Sequence, residues 1–134
     1  MTKTLLWLDD CRDPLKNDWL NFSPIGKDVE THWVKTYLEF AQWIAENGLP
    51  DAICFDHDLS DFQAFKFGYP ELMDDIPMPE HEKTGMDCAK FLVEYCLDHR
   101  LKLPPYGLQS SNPTGRQNID SLLKNFIKNV EMDF

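Results

Sequence analysis

Basic residues are scarce in this sequence. Thirteen lysines and arginines face 23 aspartates and glutamates, giving a formal net charge of −10. That balance excludes an extended nucleic-acid surface, which needs many phosphate-neutralising cations. It leaves room for a small local site that takes a single nucleic-acid end. The acidic surface also permits a protein partner. Cysteines are few: Cys11, Cys54, Cys88 and Cys96 form no CxxC pair and show no zinc spacing. They read as reduced, in packing or bystander roles, not as a metal knuckle or disulfide framework. No stretch approaches the ~20 apolar residues of a membrane helix. The apolar run in MTKTLLWLDD is too short for a signal peptide. No membrane contact and a cytoplasmic location are therefore expected. Disorder is excluded by 43% hydrophobic and 13% aromatic residues. A length of 134 residues suits one domain with a real core, expected to span residues 1–134.

What the chain does have is two apolar runs that break off into carboxylates. One is TLLWLDD, ending at Asp9 and Asp10; the other is DAICFDHDL, ending at Asp56, His57 and Asp58. As neighbouring parallel strands they would bring four carboxylates and a histidine to one sheet edge. Such a cluster is costly unless a cation or a proton holds it together.

Residues 4–8 read as a first strand, apolar on both faces as in a central parallel strand. Residues 11–29 carry Pro14, Asn17, Asp18, Asn21, Ser23, Pro24 and Gly26. No helical period survives there, so an irregular connection with at most one short turn is expected. Residues 31–35 read as a second strand. Tyr37, Phe40, Ala41 and Ile44 then share one helical face. Thr36 and Glu39 form a capping box before it, and Gly48 closes it. Trp43 on that helix reads as helix–sheet packing. Residues 51–55 form the third strand. The segment 59–82 is a long insertion with Gly68, Pro70, Pro77, Pro79 and interspersed aromatics. It is either a lid over the acidic edge or a surface insertion with a few aromatics tucked down. Thr84 caps a second helix with Asp87 at N3, and Ala89, Leu92, Val93 and Cys96 form its buried stripe. Residues 106–110 make a fourth strand, and a last helix spans 116–130. Alternating strands and helices predict a parallel sheet with helices on both faces. Ligands of such sheets bind at the carboxyl ends of the strands, where all three polar clusters of this chain fall.

Mg²⁺ or Mn²⁺ suits these groups, because a hard cation takes a few carboxylates, waters and phosphate oxygens. Asp9, Asp10 and Asp56 are the expected ligands. Asp58 shares the face of Asp56 and is a further ligand, a neighbouring base or a turn cap. His57 is either a general acid or base or a structural histidine bonded to the long loop. Arg12 either reaches an anion at the site or pairs with Asp10 or Asp13. Ser110, Ser111 and Asn112 lead into Pro113, Thr114, Gly115 and Arg116. Hydroxyls, an amide and helix N–H groups there suit phosphate oxygens, with Arg116 as a bidentate cation. The other reading of this stretch is an N-cap followed by a surface arginine.

The third strand with Asp56, the Asp9–Asp10 pair, Ser110 and the helix opening at Gly85 resemble response-regulator receiver domains. In those, the Asp56 position accepts a phosphoryl group and the acidic pair holds Mg²⁺. Three departures stand out: residues 11–29 replace the first helix, 59–82 is inserted, and the fifth strand with its lysine has no counterpart. The chain is more similar to a divergent group, the cyclic-phosphate processing receiver domains. The resemblance runs through LDDCRDP at 8–14, FDHDL at 55–59, TGMD at 84–87 and SSNPTGRQNI at 110–119. It implies a three-layer receiver-like (flavodoxin-like) α/β fold with a short, about four-stranded parallel sheet in the order 2-1-3-4. It also implies action on cyclic phosphate ends of RNA or a nucleotide, in RNA repair or phage–host conflict.

Three functions compete. The first is a metal-dependent phosphoesterase, with Asp56, His57 and Asp58 in the chemistry and Ser110, Ser111, Asn112, Arg116 and Arg12 on the phosphate. The second is a phosphoacceptor module, disfavoured by the missing lysine. The third is a non-catalytic sensor of phosphate ends or a phage-type inhibitor.

Overall fold

A computed structural model describes residues 2–57, Leu59 and residues 84–130. Asp58, and all of the inserted segment 59–82 except Leu59, lie outside the described residues, so the lid expectation is not addressed there.

Four strands form one all-parallel sheet: β1 (Lys3–Leu8), β2 (Val29–Val34), β3 (Ala52–Phe55) and β4 (Tyr106–Leu108), in the order β2-β1-β3-β4. β1 and β3 are central, and their register sets Leu8 beside Phe55. The next residue of each strand is therefore Asp9 and Asp56, so the expected acidic pair meets at the sheet edge. β2 starts two residues earlier than its apolar pattern suggests. A six-residue ladder from Lys3↔Val29 to Leu8↔Val34 holds that extra length.

Strand alternation divides the core into two. Leu6, Leu8, Ile53 and Phe55 face the three helices, α1 (Tyr37–Asn47), α2 (Gly85–His99) and α3 (Pro113–Asn129). Phe40, Ile44, Leu92, Ile119 and Leu123 are fully or almost fully buried against them. Each such side chain contributes about 1.5–3 kcal/mol by leaving water. Leu5, Trp7, Ala52 and Cys54 face the other side, where Trp19, Leu20, Ile25, Val29 and Trp33 cover them. The expectation of helices on both faces is thus corrected: among the described residues all three α-helices lie on one face. The second face is covered by the irregular 11–29 segment, with one 3₁₀ turn at Trp19–Phe22. Right-handed crossover explains the split. The β1→β2 connection crosses the sheet in one direction, while β2→β3 and β3→β4 cross in the other. The 11–29 segment must then lie opposite α1 and α2.

The helix starts are built by side chains, with two changes from the expected pattern. Thr36 Oγ1 accepts from the Glu39 N–H at 3.0 Å, but Glu39 accepts in turn from Lys35 N–H at 2.9 Å, one residue before the cap. Thr84 and Asp87 close a full capping box on α2. α3 begins at Pro113, three residues before the expected start at 116, because Asn112 caps it and proline suits N1. Gly48 ends α1 with a positive φ of 80° and donates to Ile44 at 2.8 Å. Cys54, Cys88 and Cys96 are buried, in keeping with packing roles, and Cys11 is exposed. Among the described residues no helix is long and apolar enough to cross a membrane.

One close approach locks α2 to the acidic edge. The Gly85 N–H donates to the His57 carbonyl at 2.7 Å. A Cβ on Gly85 would collide with the carbonyl of Asp56. Backbone cannot swing aside as a side-chain tip can. Gly85→Ala is expected to cost about 2 kcal/mol or more, as overpacking does. Urea unfolding measures this; wild-type stability in the variant would contradict the contact.

Candidate functional site

The first polar group beyond β1 is Asp9, which is fully buried. Its Oδ1 accepts from the N–H groups of Cys11 and Arg12, both at 3.0 Å, turning the chain sharply after the strand. Its Oδ2 accepts from Arg12 Nη1 at 3.1 Å and Gln109 Nε2 at 3.4 Å. Two tryptophans fix the same turn. Trp33 Nε1 donates to the Asp9 carbonyl at 2.7 Å, and Trp7 Nε1 donates to the Arg12 carbonyl at 2.9 Å. Buried indole N–H groups need such acceptors.

Arg12 Nη1 lies 3.1 Å from Asp9 Oδ2 and 3.5 Å from Asp56 Oδ2, where the sequence suggested Asp10 or Asp13 as its ion-pair partner. Its guanidinium carbon sits 5.2 Å from the centre of the Trp19 ring. The 3₁₀ turn therefore supplies an aromatic floor that keeps this cation between the two strand ends.

Asp56 ends β3, is 3% exposed, and donates its N–H to the Leu8 carbonyl at 2.9 Å. Burial first, then the charge of Asp9 and a hydrogen bond with Asp10, push its carboxyl up to about 7, against the pull of Arg12. Asp10, half-buried, stands on the same edge. Ligand atoms of Asp9, Asp10 and Cys11 lie within 4.8 Å of one another. The Cys11 thiol is pushed up to about 11 by burial and by Asp10 and Asp9, and a soft sulfur suits a hard cation less well than carboxylate oxygens do. Asp56, the third expected ligand, is not in that group of Asp9, Asp10 and Cys11; it is tied to it through Arg12 and its interactions with Asp9 and Asp10. The crowding of these carboxylates and the raised Asp56 fit a hard oxygen-seeking cation, because additional positive charge relieves both.

His57 does not face the carboxylates. Its Nδ1 lies 3.5 Å from Asn112 Nδ2, and its ring packs so closely on the first turn of α3 that a Cβ on Gly115 would collide with it. It joins the β3 end to α3; the long loop expected as its partner lies, apart from Leu59, outside the described residues. Asp58 lies outside the described residues.

The residues after β4 do two kinds of work. Ser110, 3% exposed, accepts from the Asn112 N–H at 3.1 Å, and Asn112 Oδ1 accepts from the Gly115 N–H at 2.9 Å. These two are turn and cap residues in this structure. Ser111 and Arg116 are exposed on the same turn. Among the described residues Arg116 forms no ion pair with the acidic edge.

Three residues were not singled out as site residues in the sequence: Trp7, Trp33 and Gln109. A signal existed for the tryptophans, since Trp7 lies two residues before Asp9 and its N–H had to find an acceptor. Gln109 carried none, because it sits between an apolar strand and a serine pair and reads as a strand residue.

Residues 4–125 match the cyclic-phosphate processing receiver domain family, and the chain belongs to that family. No curated protein shows a significant match to it.

The Asp56 shift sets a pH dependence for the cation-free chain. The folded carboxyl titrates at about 7 and the unfolded one near 3.8. Between those values the folded state holds a proton that the unfolded state has released. This contribution to stability is complete below the unfolded value and is lost as pH rises through about 7. In EDTA, Asp56→Asn is expected to gain on wild type as pH rises, by on the order of 2 kcal/mol at alkaline pH. Urea unfolding across pH measures it; a difference that does not vary with pH would contradict the shift.

Proposed function

We propose that this chain is a divalent-cation-dependent phosphoesterase acting on a cyclic phosphate end of RNA or a nucleotide. The observation that carries this reading is the meeting of Asp9, Asp10 and Asp56 at the carboxyl edge between β1 and β3. That is the point where the strand order reverses and where ligands of open α/β sheets bind. Membership of a cyclic-phosphate processing family supports the substrate class.

Asp9, Asp10 and Asp56 would hold Mg²⁺ or Mn²⁺. Such an ion supplies charge that polarises a phosphoryl oxygen and acidifies a bound water. The chain's own residues do the rest. Arg12 neutralises Asp9 and Asp56 before the cation arrives. With a cation relieving those two carboxylates, its planar fork would serve as a bidentate donor for phosphate oxygens. Ser111 and Arg116 are the exposed donors of the 110–116 turn, and the N-terminus of the 17-residue α3 favours negative charge nearby. Ser110 and Asn112 shape that turn through their hydrogen bonds. His57, beside Asn112, and Asp58 are the two candidates for giving a proton to the departing oxygen. In ring opening, a water oxygen forms a bond to phosphorus. One ring P–O bond breaks, and the freed ribose oxygen takes a proton, leaving a phosphomonoester.

A second reading, a sensor of phosphate ends without turnover, is favoured by one observation. Arg12 already bridges Asp9 and Asp56, at 3.1 and 3.5 Å.

The test is an end-group assay on a short RNA carrying a 2′,3′-cyclic phosphate, with Mg²⁺, Mn²⁺ or EDTA. Cation-dependent ring opening is expected, reduced about 100-fold or more in Asp56→Asn, the scale on which a charge-stabilising group acts. Binding without turnover under either metal would establish the sensor. Neither binding nor turnover by a folded protein would overturn both readings.

A further inference from the structure

Gln109 leaves β4 directly and is 3% exposed. Its N–H extends the β3–β4 ladder by donating to the Phe55 carbonyl at 3.1 Å. Its side chain then reaches over the end of β3 to β1. Nε2 donates to the Leu8 carbonyl at 2.9 Å and to Asp9 Oδ2 at 3.4 Å. Those two acceptors decide which end of the amide is nitrogen, since a flipped amide would set oxygen against two oxygens. The other end, Oε1, is buried and has no hydrogen-bond partner among the described residues. A buried acceptor left without a donor costs about 1–3 kcal/mol. It is therefore open to a donor or a cation that the described residues do not supply.

The chemistry of such a partner is restricted. Gln109 Oε1 and the Asp9 carboxylate are both acceptors, on side chains already in contact. A phosphate oxygen is also an acceptor and would be repelled by both. A cation, or water carried by a cation, satisfies the two together. Resting on the cation reading given above, we propose that Gln109 is part of the cation site. Its Oε1 is the neutral oxygen that meets the ion or one of the ion's waters, while its Nε2 fixes the orientation of Asp9. A neutral amide here, in place of a fourth carboxylate, adds an oxygen without adding charge to an edge that already crowds Asp9, Asp10 and Asp56. Carboxylates, one amide oxygen and waters make the hard-oxygen shell of Mg²⁺ or Mn²⁺.

The experiment measures the Mn²⁺ dissociation constant of the full chain by the electron-spin signal of free Mn²⁺. Wild type, Gln109→Met and Gln109→Glu are compared, each also unfolded with urea in EDTA. Gln109→Met keeps the side-chain length and removes both polar ends. It is expected to weaken Mn²⁺ binding roughly ten-fold or more, the usual loss for a group that supports a metal site. Gln109→Glu returns an oxygen at the same reach with a charge, and is expected to bind Mn²⁺ more tightly than wild type. A Gln109→Met variant that loses stability yet binds Mn²⁺ as wild type does would overturn the inference, leaving Gln109 a structural clasp. If Gln109→Met does not fold, Gln109→Glu decides: binding no tighter than wild type overturns it. Wild type that takes up no Mn²⁺ overturns the cation reading itself, and this inference with it. Wild-type binding with unaltered variants overturns this inference alone.

Discussion

Asp9 and Asp56 stand side by side because β1 and β3 are paired in register, and neither can leave the other's field. Leu8 and Phe55 are partners in the ladder, and both strands are buried on both faces. The carboxyls that follow are buried as well, so their mutual repulsion is poorly screened. Much of the surrounding structure answers that repulsion. Arg12 lies between them, Trp19 supports the guanidinium, and Trp7 and Trp33 hold the turn that brings Arg12 back. The 11–29 segment thereby covers one face of the sheet and supplies the counter-ion for its edge.

Much of this was legible in the sequence, for reasons that can be named. Apolar runs that stop at carboxylates mark strands and the edge they reach. Thr84 with Asp87 marks a helix start, because the capping box is local chemistry. Strand order came from resemblance, and the register then placed Asp9 next to Asp56. The less legible parts depend on contacts distant in sequence. Arg12 near Asp13 looked like a local pair, yet its second carboxylate lies 44 positions further on at Asp56. The reach of Gln109 to Asp9 spans 100 positions. The face chosen by 11–29 follows from the direction of its crossover, which no periodicity shows. The start of α3 was misplaced because its first turn is polar: Asn112 and Pro113 announce it, while the apolar stripe begins only at Ile119.

These features converge on one physical account. An edge built from crowded carboxyls is poised to take positive charge, and Arg12 supplies that charge within the chain. The raised Asp56 and the Gln109 oxygen that finds no partner among the described residues would both be relieved by positive charge beyond that of Arg12. The turn between β4 and α3 adds exposed donors from the neighbouring strand end, with Ser110 and Asn112 hydrogen-bonded within it. His57, turned away from the carboxylates, ties that turn to β3.

The central claim is that two buried carboxyls share this edge under strain that positive charge relieves. Carbon-13 NMR titration of the Asp56 side-chain carboxyl, in EDTA and then in Mg²⁺, tests it most directly. The account predicts titration at about 7 without metal and a downward shift when Mg²⁺ is added. A carboxyl that titrates near 4, the ordinary aspartate value, and ignores Mg²⁺ would contradict it.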